Sequence, residues 1–403
     1  MTTPRVSIVM ASYNRRAVVL ETLDALAENG LPADEYEVIV VDNASTDGTP
    51  AALARRPDVR SLPLRVNRGS CAKALGVGIA RGEFIVFLDD DSCPRPGSLE
   101  RMLAHFAALP TLGAAGFLAH LPDGSQECSA LPHVFIGCGV GFRARALREV
   151  GGLDPSFFMQ AEEYDLSFRL LACGWDVRTF GDLAVEHRKS PQARRSDRTM
   201  FLDTRNNLRV VARYLPREYA RIYRDEWRLR YAWLAERLGQ SAAYRRGVRA
   251  GWWRGLLERL RYARWRLSQP VLERVFAWER LRREFADLVE AGVERVVLAD
   301  LGKNVYAFWR AARAVGVDVA AIASDAFAAP GRTYRGVPVL TTDAALKLDP
   351  DAYVVSNTSF VHATQCYADL RTRTSRPVHH WFGPPPGGPA TRAINGPVLV
   401  AAS

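Results

Sequence analysis

The stretch EFIVFLDDDS, residues 83–92, decides the fold of the first half of the chain. It is a run of apolar and β-branched residues that ends in three consecutive aspartates. Two earlier stretches have the same form, VSIVMA at 6–11 and EVIVVDNAS at 37–45. Continuous apolar runs are typical of strands covered on both faces of a parallel sheet. The helical patterns between them indicate crossover connections, so we predict an α/β fold built on a parallel sheet.

Polar side chains follow each of these three predicted strands. They are Ser12, Tyr13 and Asn14 after the first strand, residues 42–45 after the second, and residues 89–91 after the third. Ligands of open parallel sheets bind beyond the carboxyl ends of the strands. A lone aspartate in this position is also explained as a helix cap. Three adjacent carboxylates repel one another, a cation relieves that repulsion, and oxygen ligands suit Mg²⁺ or Mn²⁺.

Composition and charge describe an ordinary globular protein with a basic surface. The 403 residues are 48% hydrophobic and 24% charged, with a net charge of +10. The basic balance fits either a solvated arginine-rich surface or an anionic partner. The six cysteines form no CxxC pair, which argues against zinc and fits reduced thiols. The first 14 residues lack the apolar region of a signal peptide, and no apolar run is long enough for a membrane span. We therefore expect a cytoplasmic protein.

Four motifs occur in a fixed order along the N-terminal half. They are ASYNR at 11–15, VVDNASTDGT at 40–49, NRGSCAKALGVGIARGEFIVFLDDDS at 67–92, and EEYDLSFRLLACGW at 162–175. Together they resemble the inverting glycosyltransferases of family 2, which have the GT-A fold, over about residues 4–200. The rhamnosyltransferase-like bacterial branch is the most similar one, because EEYDL stands where many relatives have an ED pair.

The resemblance implies a nucleotide-sugar site. The residues that it assigns to nucleotide-sugar binding are Ala11, Ser12, Tyr13, Asp42, Asn67, Gly69, Lys73, Asp89 and Asp90. Asp42 would accept a hydrogen bond from N3–H of uracil or thymine, and Lys73 would contact a phosphate. Residues 89–91 form the DxD pattern of the family. Its last aspartate, Asp91, would bind Mg²⁺ or Mn²⁺ with Asp89 and His187 beside it.

Three acidic residues open the helix predicted over 161–173. They are Glu162, Glu163 and Asp165. The resemblance implies that one of them is the base that removes the proton of the acceptor hydroxyl. Matching to the ED position selects Glu163, with Glu162 next. The alternative is an acidic first turn that only stabilises the helix dipole.

Four segments divide the chain in this interpretation. They are a GT-A catalytic domain at 1–205, a helical basic and aromatic segment at 206–290, a small α/β domain at 291–385 and a Pro/Gly-rich tail at 386–403. In the second segment arginine alternates with tryptophan and tyrosine at helical spacing. That pattern is typical of a helix lying on anionic lipid, and the alternative is ordinary packing with homodimer contacts. No nucleic-acid-binding signature accompanies the arginines, so nucleic acid is not expected as a partner.

The third segment loosely resembles the small Rossmann-like domain of sugar acyltransferases. DLGKNVYAFW, residues 300–309, supplies only Gly302 where a dinucleotide site has GxGxxG. Asp325 lies where a ribose-binding acid is expected, about 20 residues further on. We therefore favour a structural or protein-contact role over cofactor binding for this domain.

The sequence as a whole predicts a metal-dependent inverting glycosyltransferase. Its donor is a UDP- or dTDP-sugar, and its acceptor is a hydroxyl of a glycan, a lipid-linked glycan or a natural product. The alternative is a non-catalytic nucleotide-sugar-binding or scaffolding protein of a polysaccharide pathway. A nucleotidyltransferase is disfavoured, since ASYNRR does not supply a GxGxR-like loop.

Overall fold

The computed structural model describes residues 3–188 and 196–380. The predicted tail, 386–403, and the last five residues of the predicted third segment lie outside these ranges. Within them the chain folds into an N-terminal α/β part, a helical middle part and a second, smaller α/β part.

The N-terminal part is built on a nine-stranded sheet in the order β3-β2-β1-β4-β8-β6-β9-β5, with β7 paired to β6. Its strands are β1 (Val6–Ser12), β2 (Tyr36–Asp42), β3 (Val59–Pro63), β4 (Phe84–Leu88), β5 (Ser92–Pro94), β6 (Leu112–His120), β7 (Gln126–Glu127), β8 (Gly139–Arg143) and β9 (Asp176–His187). The first four strands along the chain pair in parallel. Beyond them the sheet is mixed, so the prediction of a purely parallel sheet is wrong there. Strand β6 pairs in parallel with β9, but β8 runs antiparallel to β4 and β6, and β5 runs antiparallel to β9.

Six α-helices cover this sheet. They are α1 (Arg16–Leu26), α2 (Thr49–Leu53), α3 (Lys73–Val77), α4 (Ser98–Ala108), α5 (Ala144–Glu149) and α6 (Glu162–Ala172), with 3-10 turns at Gly69–Ala72 and Pro155–Phe157. The segment between β3 and β4 contains only one short α-helix, α3. Glycines at 76, 78 and 82 lower its helix propensity. Gly76 also packs on the sheet so closely that a Cβ would lie 2.5 Å from Val9 Cγ1.

The middle part contains α7 (Asp197–Tyr214), α8 (Arg217–Arg237), α9 (Ser241–Arg261), a 3-10 turn at Ala263–Trp265, α10 (Gln269–Phe276) and α11 (Trp278–Glu290). The predicted boundary at 205/206 falls inside α7. A helix that runs across a domain boundary keeps one continuous periodicity, so the sequence shows no break there. Helices α7 and α9 lie in close contact because Gly247, Gly251 and Gly255 of α9 meet α7; a Cβ at Gly247 would lie 2.8 Å from the Phe201 carbonyl oxygen.

The C-terminal part is a six-stranded sheet in the order β12-β13-β11-β10-β14-β15. Its elements are β10 (Arg295–Ala299), α12 (Val305–Ala314), β11 (Asp318–Ala323), β12 (Thr333–Tyr334), β13 (Val337–Leu340), α13 (Thr342–Leu346), β14 (Ala352–Val355), α14 (Phe360–Arg373) and β15 (Val378–His380). All the pairings are parallel except that of the short strand β12.

The three parts share a hydrophobic core. One cluster of buried side chains runs from Val9 in the first sheet through Trp227 in α8 to Val354 in β14. The loop after β14 also bonds the N-terminal part, since Thr358 Oγ1 donates to the Ala130 carbonyl at 3.0 Å. None of the helices in the two described ranges is long and apolar enough to cross a bilayer.

Candidate active site

The carboxyl ends of β1, β2 and β4 meet at one edge of the N-terminal sheet, as predicted. Ser12 at the end of β1 pairs in register with Asp42 at the end of β2. The Ser12 hydroxyl donates to Asp90 Oδ2, just beyond β4, at 2.7 Å. Three segments that are distant in sequence therefore converge within a hydrogen bond of one another.

Asp42 is a buried carboxylate that is only partly paired. Its side chain is buried at the end of β2. One oxygen, Oδ2, accepts a long hydrogen bond of 3.4 Å from the Ser45 amide. The other oxygen, Oδ1, is buried and finds no donor within the described part of the chain. Because leaving a buried acceptor unpaired is unfavourable, the geometry suits a ligand that brings an N–H group.

The carboxylate of Asp89 accepts a hydrogen bond from a buried lysine. Lys73 Nζ donates to Asp89 Oδ1 at 2.6 Å and to the Gly137 carbonyl at 2.9 Å. Burial raises the pKa of Asp89, but the charge and hydrogen bond of Lys73 outweigh it and lower the pKa. The Asp89 side chain keeps 37% of its surface exposed, whereas Lys73 keeps 4%. In this structure Lys73 supports Asp89 rather than facing the open cleft.

Arg15 is a site residue that the sequence reasoning missed. Its guanidinium donates to Asp90 Oδ1 at 2.7 Å and to Asp91 Oδ2 at 2.8 Å. With Ser12 on its other oxygen, Asp90 is buried and fully paired. Burial is the largest effect on Asp90 and raises its pKa to about 6, against the opposing charge of Arg15. Arg15 and Arg16 directly follow the SYN sequence at the end of β1. This position could have indicated that an arginine lies at the same sheet edge as the aspartates.

His187 at the end of β9 completes the aspartate cluster. Its Nε2 lies 3.3 Å from Asp91 Oδ1, and its buried Nδ1 has no partner among the described residues. Although burial raises the pKa of Asp91, hydrogen bonds from His187 and Arg15 hold it well below its usual range. Ligand atoms of Asp89, His187 and Cys138 also lie within 4.8 Å of one another. Carboxylate and imidazole ligands with an unpaired ring nitrogen fit a divalent cation here.

The remaining predicted nucleotide residues line the loops around this edge. Tyr13 is 46% exposed, and Ala11 is half-buried just before it. Asn67 Oδ1 accepts from the Gly69 amide at 2.8 Å, which shapes the turn. Gly69 has φ +65°, and a Cβ there would lie 2.1 Å from the Phe158 carbonyl oxygen. Only glycine permits this approach, which brings the loop before α6 against the loop at 67–69.

The loop that leads into α6 is held in an unusual conformation. Phe158, Gln160 and Ala161 all have positive φ angles although none is glycine. Asn206 of α7 braces the loop, since its Nδ2 donates to the carbonyls of Phe157 at 3.0 Å and of Gln160 at 2.8 Å. Residues in such strained conformations cluster at functional sites. Helix α7 therefore helps to position the start of α6, and no local sequence pattern indicated this contact.

Glu162 and Glu163 lie at the start of α6 in different surroundings. Glu162 is buried, and its Oε1 accepts a hydrogen bond from the Ser70 hydroxyl. Burial, followed by the charge of Glu163, raises the pKa of Glu162 to about 8. Glu163 is half-buried and faces Gly137, where a Cβ would lie 3.2 Å from Glu163 Oε1. Gly137 is thus in contact with both Glu163 and the lysine that supports Asp89.

We expect the Glu162→Gln substitution to change how stability depends on pH. The pKa of Glu162 rises from an ordinary value of 4.5 to about 8 in the fold. The folded chain therefore keeps a proton that the unfolded chain releases between these pH values, and the native fold loses stability as pH rises from 4.5 to 8. Glutamine does not ionise. As pH rises from 5 to 9, the free energy of unfolding of the variant should increase by on the order of 2–5 kcal/mol relative to that of the unsubstituted chain. Urea unfolding at pH 5, 7 and 9 measures this, and parallel pH curves for the two proteins would contradict it.

Asp165, the third acid of the predicted set, lies in a different network. It is fully buried, and its oxygens accept hydrogen bonds from Arg169 at 2.6 Å, from Arg213 at 2.7 Å and from the Tyr214 hydroxyl. Its spacing places it one turn along α6, on the face that packs on α7. The structure therefore separates Asp165 from Glu162 and Glu163 and joins it to the core.

Comparison with known proteins agrees with this architecture. Residues 7–151 match the family described as glycosyl transferase family 2, and residues 117–278 match glycosyl transferase family group 2. Both models describe family 2 glycosyltransferases, and together they span residues 7–278, which include the N-terminal sheet and its acidic edge.

Individual relatives match over shorter stretches. The succinoglycan biosynthesis protein ExoO of Rhizobium meliloti is 42% identical over 104 residues, which are 25% of this chain and 29% of that protein. The N-acetylglucosaminyl-diphospho-decaprenol L-rhamnosyltransferase of Mycobacterium tuberculosis is 30% identical over 190 residues, 34% of this chain and 62% of that protein. The chain thus spans less than two thirds of the length of these relatives.

Solved structures with a related fold include two glycosyltransferases. The mannosyltransferase PcManGT of Pyrobaculum calidifontis, in complex with GDP-Man and Mn²⁺, has a TM-score of 0.45 at 21% identity and covers 64% of this chain and 88% of its own. TarS of S. aureus, residues 1–349 in complex with UDP, has a TM-score of 0.41 at 18% identity and covers 51% of this chain and 65% of its own.

Proposed function

We propose that the chain transfers a sugar from a UDP- or dTDP-sugar to an acceptor hydroxyl, with inversion at the anomeric carbon. The observation that carries the donor assignment is Asp42, whose buried Oδ1 has no donor in the described structure. Uracil and thymine present an N3–H group, whereas N3 of cytosine is an acceptor. A buried carboxylate therefore favours the first two bases. Ala11, Tyr13, Asn67 and Gly69 complete the nucleotide pocket in this proposal.

A divalent cation, Mg²⁺ or Mn²⁺, is part of the proposal. Asp91, Asp89 and His187 would hold it, since their carboxylate and imidazole groups lie together beyond β4. A bound cation supplies Lewis-acid stabilisation of the charge that grows on the leaving diphosphate. Arg15 and Lys73 keep these carboxylates ionised and in place, and Asp90 acts through that same network.

Glu163 is the proposed catalytic base. It is half-buried beside Gly137, while Glu162 is buried and bonded to Ser70. In the proposed step Glu163 takes the proton of the acceptor hydroxyl as the oxygen attacks the anomeric carbon. The bond to the diphosphate breaks on the opposite face, and the nucleoside diphosphate leaves with the electron pair.

The acceptor is proposed from the names of the relatives, and it is proposed only as a class of molecule. One relative is named as a rhamnosyltransferase acting on N-acetylglucosaminyl-diphospho-decaprenol, and another, TarS of Staphylococcus aureus, as a poly(ribitol-phosphate) β-N-acetylglucosaminyltransferase. We propose a glycan or lipid-linked glycan acceptor in the assembly of a polysaccharide.

The C-terminal part has a structural role in this proposal. The parallel strand order β13-β11-β10-β14-β15 is Rossmann-like. A Rossmann ligand would lie beyond the ends of β10 and β14. There Gly302 packs so closely that a Cβ would lie 2.9 Å from the Ser356 carbonyl oxygen. Ser359 Oγ also lies 3.2 Å from Cys128 Sγ of the N-terminal part. This edge is therefore used for contact between the two α/β parts.

The donor assignment is tested by comparing UDP with CDP, which differ at the N3 edge of the base. We expect UDP to bind more tightly than CDP in the presence of Mn²⁺, by about 10- to 100-fold, the value of a hydrogen bond to a charged group. Asp42→Ala should remove most of this preference while leaving the metal dependence intact. Isothermal titration with UDP, CDP, dTDP and GDP measures it. A preference for GDP, or equal affinity for UDP and CDP, would overturn the assignment.

A further inference from the structure

One face of α9 is apolar and exposed. Among the described residues, five of the nine large hydrophobic side chains that are exposed lie on this helix: Trp252, Trp253, Leu256, Leu257 and Leu260. Their exposed fractions reach 64% at Trp253, 78% at Leu257 and 85% at Leu260. A contiguous exposed apolar patch marks an interaction surface.

The orientation of this face follows from the packing of α9 on α7. Ala243, Gly247, Gly251 and Gly255 recur every four residues and are buried. Trp253, Leu257 and Leu260 recur at spacings of four and three on the opposite side. Because the glycine side is already in contact with α7, the apolar face is directed outward by the fold.

Arginines surround this face and are not neutralised. Arg245, Arg246, Arg249, Arg254 and Arg261 are exposed on α9. None of the five takes part in an ion pair within the described ranges, as the salt bridges found there involve other residues. The single acid of α9, Glu258, points inward and bonds Arg209 and Arg213. The outward side of α9 is therefore cationic as well as apolar.

A groove opens beside this face, between α7, α8 and α9. It has a volume of about 780 Å³. Its lining includes the apolar residues Leu208, Val211 and Val248 and the cationic residues Arg221 and Arg224. An apolar channel with cationic edges matches an acyl chain joined to an anionic phosphate.

We propose that the outward face of α9 docks the enzyme on an anionic lipid bilayer. Tryptophan and leucine enter the interface while the arginines meet lipid phosphates, as in helices that lie in the plane of a membrane. A second copy of this chain would have to place an equally cationic face against these arginines, so charge complementarity favours the lipid. Helix α7, on which α9 packs, is also hydrogen-bonded to the loop before α6 through Asn206. The docking goes beyond the proposed function and does not depend on it.

Vesicle sedimentation tests the docking. The full chain is mixed with vesicles of phosphatidylcholine alone or with 30% phosphatidylglycerol, at about 0.1 M and about 0.5 M salt. We expect binding to the anionic vesicles that weakens at high salt. The double substitution Leu257→Glu and Leu260→Glu should lower the partition coefficient at least about tenfold. Arg246→Gln with Arg249→Gln should lower it about 10- to 30-fold at low salt. Val289→Glu on α11, also an exposed apolar position, serves as the matched control and should change nothing.

The outcomes separate this proposal from the proposed function. UDP binding by each variant, unchanged from that of the unsubstituted chain, shows that the fold and the donor site are intact. Equal binding to neutral and anionic vesicles, or no binding to either, would overturn the docking. A change in oligomeric state caused by Leu257→Glu, without an effect on vesicles, would overturn it in favour of a homodimer face. Failure to bind any nucleotide would count against the donor proposal only.

Discussion

Replacing Glu163 with glutamine is expected to lower kcat by about 10²- to 10⁴-fold, the contribution of a positioned general base. The substitution keeps the size and polarity of the side chain but removes the carboxylate that we propose takes the acceptor proton. Donor affinity should change little, since Asp42 and the loop at 67–69, which we propose bind the nucleotide, are different residues. Steady-state kinetics with a soluble acceptor, together with titration of UDP, separate the two effects.

Glu162→Gln is the matched control, because it alters the neighbouring residue in the same way. Glu162 is buried, bonded to Ser70, and has a pKa raised to about 8. Its carboxylate is enclosed by protein, whereas that of Glu163 is half-buried, so Glu163 is the better placed of the two to reach an acceptor hydroxyl. We expect its variant to keep most of the activity. A large loss in Glu162→Gln together with a small loss in Glu163→Gln would reverse the assignment.

Removing Arg213 is expected to have the largest effect on stability. Its guanidinium donates to Asp165 at 2.7 Å, to Asp154 at 2.8 Å and to Glu258 at 2.9 Å. Arg213→Ala leaves the fully buried Asp165 without one of its cations, and breaking such a buried pair costs about 3–5 kcal/mol. Chemical denaturation followed by tryptophan fluorescence measures the loss.

Arg373→Ala is the control for this prediction. Arg373 pairs with Asp369 at 2.9 Å on the surface of α14, where the Asp369 side chain is 55% exposed. Surface pairs of this kind contribute little, so the variant should unfold close to the unsubstituted chain. If both variants lost the same free energy of unfolding, the prediction that the buried ion pairs of Arg213 contribute more than a surface pair would be wrong.

Much of the site could be predicted because its signals are local. Each apolar strand is followed at once by its polar residues, and the carboxyl ends of adjacent parallel strands must meet. The antiparallel direction of β8 could not be predicted in this way, because it depends on pairing with β4 and β6 rather than on the residues of β8 itself. It also placed a domain boundary inside α7, since helical periodicity does not change where a helix passes from one part to the next.

The sequence by itself determined the α/β class of the N-terminal part, the sheet edge at which the acids gather and the resemblance to family 2 glycosyltransferases. These follow from patterns within a few residues of one another. Only the tertiary structure decided which carboxylates remain available to bind a ligand. Asp90 is occupied by Arg15, 75 positions away, and Asp165 by Arg213, 48 positions away, while one oxygen of Asp42 has no partner in the described chain. Whether a buried carboxylate can bind a ligand depends on partners that the whole fold brings to it. Those partners are distant in sequence, so no local pattern predicts them.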